Sequence, residues 1–359
     1  MSFSLGNKIQ MTVEGASHSE YIEVRIEGLP KGFKVDEGRI LEFLRRRQGG
    51  GSFYTTPRKE ADEPVVVSGM ENSIITGDEL VVRFMNSNVR KTDYSNLKVI
   101  PRPSHADYVA YVKYEGKMDM SGGGFFSGRM TLPLCYVGAI CKQILEEKGI
   151  NIAAHISSIG GIGDERYSFV TDNIEPYSDS ELPVLSKECG DKMIELLKEV
   201  AADEDSVGGS VECKVTGIPA GIGDPIYDSL ESMISYGMFG IPAIKGIEFG
   251  EGFKVLSDRG STSNDQFCIK DGKIRCVTNN SGGIQGGISN GMPIIFNVAV
   301  KPTPSIGKQQ QSVDIETMEE VPLVIKGRHD ACIVPRVVPC VEAMCALTLL
   351  NACRAECTS

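Results

Sequence analysis

From Glu20 to Glu27, Ile22, Val24 and Ile26 alternate with Glu23, Arg25 and Glu27, a period of two that predicts a half-buried strand. The turn Gly28-Leu29-Pro30-Lys31-Gly32 ends it. Asp36 is placed to cap a short helix with Ile40, Leu41 and Leu44 on one face, closed by Gly49, Gly50 and Gly51. The last turn of that helix is Arg45, Arg46 and Arg47, which suits the negative end of a helix dipole, and Arg47, beside the glycines, is best placed to reach a ligand. Val65–Val67 and Leu80–Phe84 read as buried strands, and Asn86–Tyr94 as a polar loop carrying Arg90 and Lys91. Pro133 sits where a first helical residue would, and Leu134, Val137, Cys141, Ile144 and Leu145 recur at helical steps up to Gly149. A strand is predicted at Ile152–Ile159, and an amphipathic helix at Asp191–Val200 with Met193, Ile194, Leu197 and Val200 inward.

Val211, Cys213 and Val215 then alternate with Glu212, Lys214 and Thr216 and run into Gly217-Ile218-Pro219-Ala220-Gly221. A strand followed by GxPxG therefore occurs twice, 189 residues apart, which points to a duplicated αβ half; chance is the alternative, since glycine and proline end many strands. Ile294–Val300 reads as a strand and Val338–Ala355 as a buried closing helix. No low-complexity linker divides the chain, so residues 1–359 are expected to form one domain.

Composition narrows the class. A length of 359 residues and a hydrophobic content of 41% suit a packed globular core. The net charge of -11 argues against a nucleic-acid partner, whose footprint would be basic. Residues 1–131 carry 18 Lys+Arg against 17 Asp+Glu and the rest 19 against 31, a distribution that suits an anionic ligand held mainly by the N-terminal part. The eleven cysteines include no CxxC pair, so no metal site is expected and free thiols in a reducing compartment are the default. The start has no secretory pattern, and the most apolar segment, Val341–Cys353, is too short to span a bilayer, so a cytoplasmic protein with no membrane partner is expected.

Chemistry concentrates between Pro101 and Thr131. His105 there is one of four histidines, and Gly122, Gly123 and Gly124 lead to Ser127 and Arg129, which offer a ligand a hydroxyl and a fixed positive charge. His105 would equally suit a hydrogen-bonded core, and the glycines a strained turn. The helix that follows would turn its N-terminal amides toward any anion held by Ser127 and Arg129. Near the end, Ser281–Gly291 and Lys301-Pro302-Thr303-Pro304-Ser305 have the composition of a phosphate cradle without Walker or GxGxxG spacing.

Taken together, GASHS at Gly15–Ser19, RPSHAD at Arg102–Asp107, SGGGFFSGR at Ser121–Arg129, NNSGGIQGGISNG at Asn279–Gly291, KPTPSI at Lys301–Ile306 and GRHDACIVPR at Gly327–Arg336 resemble the chorismate synthase family in order and spacing. The resemblance runs from about Met11 to the C-terminal helix. It implies an α+β fold, a β-α-β sandwich with antiparallel sheets and an internal duplication. It also implies a lyase that removes phosphate and a ring hydrogen from 5-enolpyruvylshikimate 3-phosphate to give chorismate, the last step of the shikimate pathway, with reduced FMN as cofactor.

On matching positions, His18 would act as an acid toward the leaving phosphate, and His105 would protonate or stabilise the flavin. Asp330, with Ser17 and Ser127 as relays, would assist deprotonation at the flavin. Arg47, Arg129 and Arg336 would hold the substrate's phosphate and carboxylates. Ala243, Gly286, Lys301, Pro302, Thr303, Pro304, Ser305 and Arg328 would line the flavin. A homotetramer is implied, with the flavin reduced by another protein or a diaphorase activity linked to NADP.

The chain departs from the family pattern at Ala16, Ser19, Phe53, Phe125, Phe126, Gly128, Met130 and Asn297, several of which stand where other members carry arginine. Phe125 and Phe126 are expected to pack against the flavin ring. The alternative reading is a paralogue acting on another anionic cyclohexene, or a flavin-binding protein without turnover.

Overall fold

A computed structural model of the chain describes residues 2–55, 60–86, 99–118, 121–325 and 330–353. The predicted loop carrying Arg90 and Lys91 lies outside the described residues, apart from Asn86.

The first sheet contains β1 (Ser2–Leu5), β2 (Gln10–Gly15), β3 (Tyr21–Glu27), β4 (Pro64–Ser68) and β5 (Leu80–Met85), in the order β1-β2-β3-β5-β4. The second contains β6 (Asn151–Ile159), β7 (Ile162–Gly163), β8 (Gly209–Thr216), β9 (Ile244–Phe249) and β10 (Ile294–Val300), in the order β9-β10-β8-β6-β7. Every pairing in both sheets is antiparallel. The helices are α1 (Glu37–Arg47), α2 (Asp107–Lys113), α3 (Thr131–Glu146), α4 (Lys187–Ala202), α5 (Leu230–Phe239) and α6 (Val334–Ala352), beside a four-residue turn of helix at Gly260–Ser263. This mixture of helices and antiparallel sheets is an α+β fold.

Two runs of elements follow the same order. β2, β3, α1, β4, β5 and α3 in the first half match β6, β8, α5, β9, β10 and α6 in the second, and β3 and β8 are the central strands of their sheets. The strand-ending glycines match in detail. A Cβ on Gly28 would lie 1.8 Å from the Lys8 carbonyl oxygen, and one on Gly217 would lie 1.9 Å from the Gly149 carbonyl oxygen. Each glycine, with φ +83° and +76°, passes the residue that leads into the neighbouring strand.

The core sits where α3 and α6 cross. Both are apolar on nearly every side, and α3 is buried from Thr131 almost to its end. A Cβ on Gly138 would lie 2.2 Å from the Ala343 Cβ, so only glycine lets the helices approach this closely. α1 packs on both helices, α5 packs on α6, and α6 lies against β6 and β8. α6 is the one helix among the described residues long and apolar enough to cross a membrane, yet 89% of the relevant window is buried inside the protein.

The sequence expectations need correction in places. α1 is capped by Asp36, whose carboxylate accepts from the Arg39 amide at 3.1 Å, but its inward face is Ile40, Phe43, Leu44 and Arg47, while Leu41 is 37% exposed. β4 is an edge strand, so Val65 and Val67 are each 50% exposed rather than buried. α3 starts at Thr131, not Pro133, and α6 starts at Val334, not Val338. The alternation along β8 holds, yet Glu212, Lys214 and Thr216 are buried like the apolar set, because residues 164–186 cover that side of the sheet.

The buried charges are compensated there. Glu212 accepts from Arg166 Nε at 2.8 Å and from the Tyr167 amide at 2.8 Å, and faces His155 Nε2 at 3.2 Å. Lys214 Nζ donates to the Asn173 carbonyl at 2.6 Å and pairs with Glu175 at 3.0 Å. This agrees with the rule that a buried charge persists only when paired and hydrogen-bonded.

Candidate active site

A cavity of about 680 Å³ opens where the end of α1, the glycine loop before α3, the start of α6 and the segment after β10 meet. Its lining includes six cationic residues, Arg47, Arg102, Arg129, Lys245, Lys301 and Arg336, against three acidic ones, Glu60, Asp62 and Asp330. Inside a chain of net charge -11 this is a local reversal of sign, and low-dielectric walls strengthen its attraction for anions. Phe125, Phe126, Ile241, Pro242, Ile244 and Val337 give the cavity an apolar side.

The glycine loop shapes one wall. Gly123 and Gly124 have φ of +86° and +55°, and a Cβ on Gly123 would lie 3.7 Å from Cε1 and Nε2 of His105, so the backbone rests against the imidazole edge. Ser127 caps the next turn by accepting from the Arg129 amide at 3.3 Å. Phe125 stacks edge-on with Phe3 at 5.3 Å between ring centroids, while Phe126 remains 38% exposed.

His105 is fixed from behind. Its Nδ1 lies 2.6 Å from Asp107 Oδ1, and Asp107 also accepts from Arg102 Nε at 2.7 Å, Arg102 Nη2 at 2.8 Å and the Arg102 amide at 3.0 Å. Arg102 Nη1 continues to the Ser305 hydroxyl at 3.2 Å. Arg102 Nη2 is also 3.1 Å from His105 Nδ1, but two donors cannot share that bond, and the shorter contact with a carboxylate places the proton on Nδ1. Burial lowers the His105 pKa, the Asp107 hydrogen bond opposes this, and the Arg102 charge adds to the lowering; the net direction is down. Burial would raise the Asp107 carboxyl, yet the bonds from Arg102 and His105 hold it well below the usual carboxylate range.

The other arginines form a second cluster. Asp62, a buried residue in left-handed backbone with φ of 54°, bridges Arg47 Nη2 at 2.5 Å and Arg129 Nη1 at 2.8 Å through its two oxygens. Arg129 Nε reaches Asn86 Oδ1 at 2.5 Å. Arg336 Nε donates to the Arg47 carbonyl at 2.9 Å, and its Nη1 to Asp330 at 3.0 Å, which ties the start of α6 to the end of α1. Arg47 Nε is buried with no hydrogen-bond partner, an orphaned donor on a residue that lines the cavity.

The structure therefore gathers Arg47, His105, Phe125, Phe126, Ser127, Arg129, Ala243, Lys301, Thr303, Pro304, Ser305, Asp330 and Arg336 around one cavity. Ser17, His18, Pro302 and Gly286 are not among its lining residues, and Arg328 lies outside the described residues. Ser17 and His18 stay close in the fold, since the Ser17 amide donates to the Gly124 carbonyl at 3.3 Å and Ser17 Oγ meets His18 Nδ1 at 3.0 Å. Gly286, φ +61°, turns a small hairpin between Ile284–Gln285 and Ile288–Ser289.

Sequence reasoning gave no role to Arg102, Asp107, Asp62, Lys245 or Cys340. The first two stood inside the quoted RPSHAD motif and could have been found there. Asp62 carries no local signal, because its two arginines come from 15 and 67 residues away.

A concave, cation-lined cavity with a carboxylate-oriented histidine defines an enzyme site for a small organic anion. The particular family follows from comparison with known proteins. The family model described as chorismate synthase matches residues 9–353, and the chain belongs to the chorismate synthase family. It is 43% identical over 365 residues to a chorismate synthase of Lancefieldella parvula, covering 98% of this chain and 96% of that one. It is 42% identical to a chorismate synthase of Methanosarcina mazei, covering 96% and 94%. A solved structure titled as the crystal structure of chorismate synthase superposes with a TM-score of 0.76 at 27% identity, over 97% of this chain and 92% of that one. Membership makes the protein a lyase of aromatic biosynthesis acting on a small molecule, in a family that implies a flavin cofactor.

Proposed function

We propose that this chain eliminates phosphate and a ring hydrogen from 5-enolpyruvylshikimate 3-phosphate to give chorismate, with reduced FMN bound in the same cavity. The observation that carries the reading is the convergence of Arg47, Arg129 and Arg336 with Asp107-braced His105 on one cation-lined cavity. A substrate with one phosphate and two carboxylates needs fixed guanidinium forks, and these three arginines supply them.

The residues present fit a flavin mononucleotide. About 680 Å³ is within the range of organic cofactor sites, and the lining offers both halves the cofactor needs. Lys301, Thr303 and Ser305 suit its phosphate end, with Pro302 and Pro304 shaping that run, while Phe125, Phe126 and Ala243 suit its ring. Gly286 and Arg328 belong to this set through the resemblance alone. Bound reduced FMN supplies transient electron donation and a place for the departing hydrogen.

The chain's own groups manage charge and protons. With Nδ1–H engaged by Asp107, His105 presents Nε2 as the atom that exchanges a proton. His18, oriented by Ser17, delivers a proton toward the leaving phosphate from the loop joined to Gly124. Asp330 positions Arg336 and, with Ser127 on the same cavity, accepts the proton that must leave. Burial and the nearby Lys245 lower the Lys301 pKa, and a bound phosphate would offset both by stabilising the ammonium.

The remaining parts of the reading are a β-α-β sandwich with internal duplication, supported by the matched element order and by Gly28 and Gly217. They also include a single domain over residues 1–359, a cytoplasmic homotetramer and an external NADP-linked reductant. Asp330→Asn tests the catalytic reading: turnover should fall by at least about a hundredfold while FMN affinity, followed by flavin absorbance, stays within a few fold. Unchanged turnover would remove Asp330 from the chemistry.

A further inference from the structure

Of the ten cysteines described, none of them in a disulfide, Cys340 alone lines the cavity. It sits on α6 one turn after Arg336, and its thiol donates to the Arg336 carbonyl at 3.3 Å. Directly behind it on α3 is Cys135, with the two sulfurs 3.8 Å apart. One turn further on, a Cβ on Gly138 would lie 2.2 Å from the Ala343 Cβ, so the two helix backbones are close at this level. A reactive thiol needs ionisation, access and, for reversible oxidation, a second thiol within reach. Here Cys340 reaches the cavity wall while itself only 2% exposed, which leaves room for a reagent no larger than a peroxide, and Cys135 is within reach behind it.

We propose that Cys340 is a peroxide-reactive thiol in the cavity wall and that Cys135 is its resolving partner. In the first step the Cys340 thiolate attacks one oxygen of hydrogen peroxide, the O–O bond breaks, and Cys340 sulfenic acid and hydroxide form. In the second the Cys135 sulfur attacks the Cys340 sulfur, the S–OH bond breaks, and a disulfide and water form. The two thiols lose two electrons and the peroxide gains them, ending as two waters. Closing 3.8 Å to a bond of about 2 Å draws the Cys340 side chain from the cavity toward α3 and removes the hydrogen bond to the Arg336 carbonyl.

The electrostatics agree with this division of roles. Donation from Cys135 lowers the Cys340 pKa against the opposing effect of burial, helped by Thr131 and by the charges of Arg47 and Arg336. Cys135 is pushed the other way by burial and by its partner, which matches the geometry in which Cys340, and not Cys135, lines the cavity. Burial pushes Cys141 and Cys332 up to about 12, which makes them internal controls on the same helices or beside them.

The test uses the whole protein with hydrogen peroxide alone, without flavin or substrate, so its outcome is independent of the proposed activity. After denaturation and alkylation, peptide mass mapping should locate a loss of two hydrogens on the Cys135 and Cys340 peptides, reversed by dithiothreitol. Cys340 should be lost at least about tenfold faster than Cys141. Cys135→Ser should stop the reaction at a dimedone-reactive sulfenic acid on Cys340, and Cys340→Ser should abolish both products. Should either variant fail to fold, the map of the unsubstituted protein decides. Oxidation confined to the half-buried Cys189 and Cys268, with Cys340 still fully alkylated, overturns the proposal.

Discussion

Replacing Asp107 by asparagine removes the one carboxylate among the described residues that pairs with His105, and the consequence can be worked from the distances. Asp107 Oδ1 is 2.6 Å from His105 Nδ1, and the same carboxylate neutralises Arg102 through contacts of 2.7 and 2.8 Å. A hydrogen bond to a charged group is worth about 1.5–3 kcal/mol. The imidazolium loses that support in the variant, while the Arg102 charge, 3.1 Å from Nδ1, loses its counterion and repels the proton more strongly. Both effects act in one direction. The His105 pKa, already lowered by burial, should fall by about one to two pH units more, at about 1.4 kcal/mol per unit.

The chain has four histidines, so imidazole proton resonances can be assigned by single substitution and followed from pH 4 to 8. If the protonated form of His105 takes part in turnover, the loss of activity that appears as pH rises should begin at correspondingly lower pH in Asp107→Asn. An unchanged or higher His105 pKa would refute the reasoning, because it would mean that Asp107 does not hold the imidazole.

Two predictions concern stability. Glu342 is buried in α6, accepts from Arg46 at 2.6 and 3.1 Å and pairs with Lys142; burial opposes ionisation, but these charges pull its carboxyl from 4.5 down to about 2. A folded pKa below the unfolded one gives stability that is present above 4.5 and lost as pH falls toward 2, so Glu342→Gln should cost about 3 kcal/mol at pH 7. Urea unfolding should show the gap between the two proteins narrowing below pH 4.5, and a gap that stays constant down to pH 3 contradicts this. Gly138→Val should destabilise by about 3 kcal/mol or more, because its Cβ would meet the Ala343 Cβ and Cα at 2.2 and 2.3 Å. A melting temperature within a degree of the unsubstituted protein would show that α3 and α6 can separate there at no cost.

The elements were legible where one face met solvent, as in α1; β3 was legible too, although Glu23 on its polar face is 3% exposed and paired with Arg25 and Arg83. Legibility failed where both faces are covered. The alternation along β8 marked its two faces correctly, but nothing local in Glu212 or Lys214 announces that residues 164–186 will fold over them. Val65 and Val67 failed in the opposite sense, since an apolar edge strand has the same composition as a central one. At the site, motif residues such as Arg129, His105 and Lys301 could be placed, because the glycines and hydroxyls around them are short-range signals. Asp62 could not, because its role is set by two arginines that only tertiary structure brings to it.

The most direct test of the central claim is anaerobic turnover of 5-enolpyruvylshikimate 3-phosphate by the purified protein with chemically reduced FMN, following chorismate by absorbance and inorganic phosphate together. Both products should form in equal amounts, with neither formed when the flavin is oxidised. Binding of reduced FMN without phosphate release would contradict the claim and direct the search to other anionic cyclohexenes.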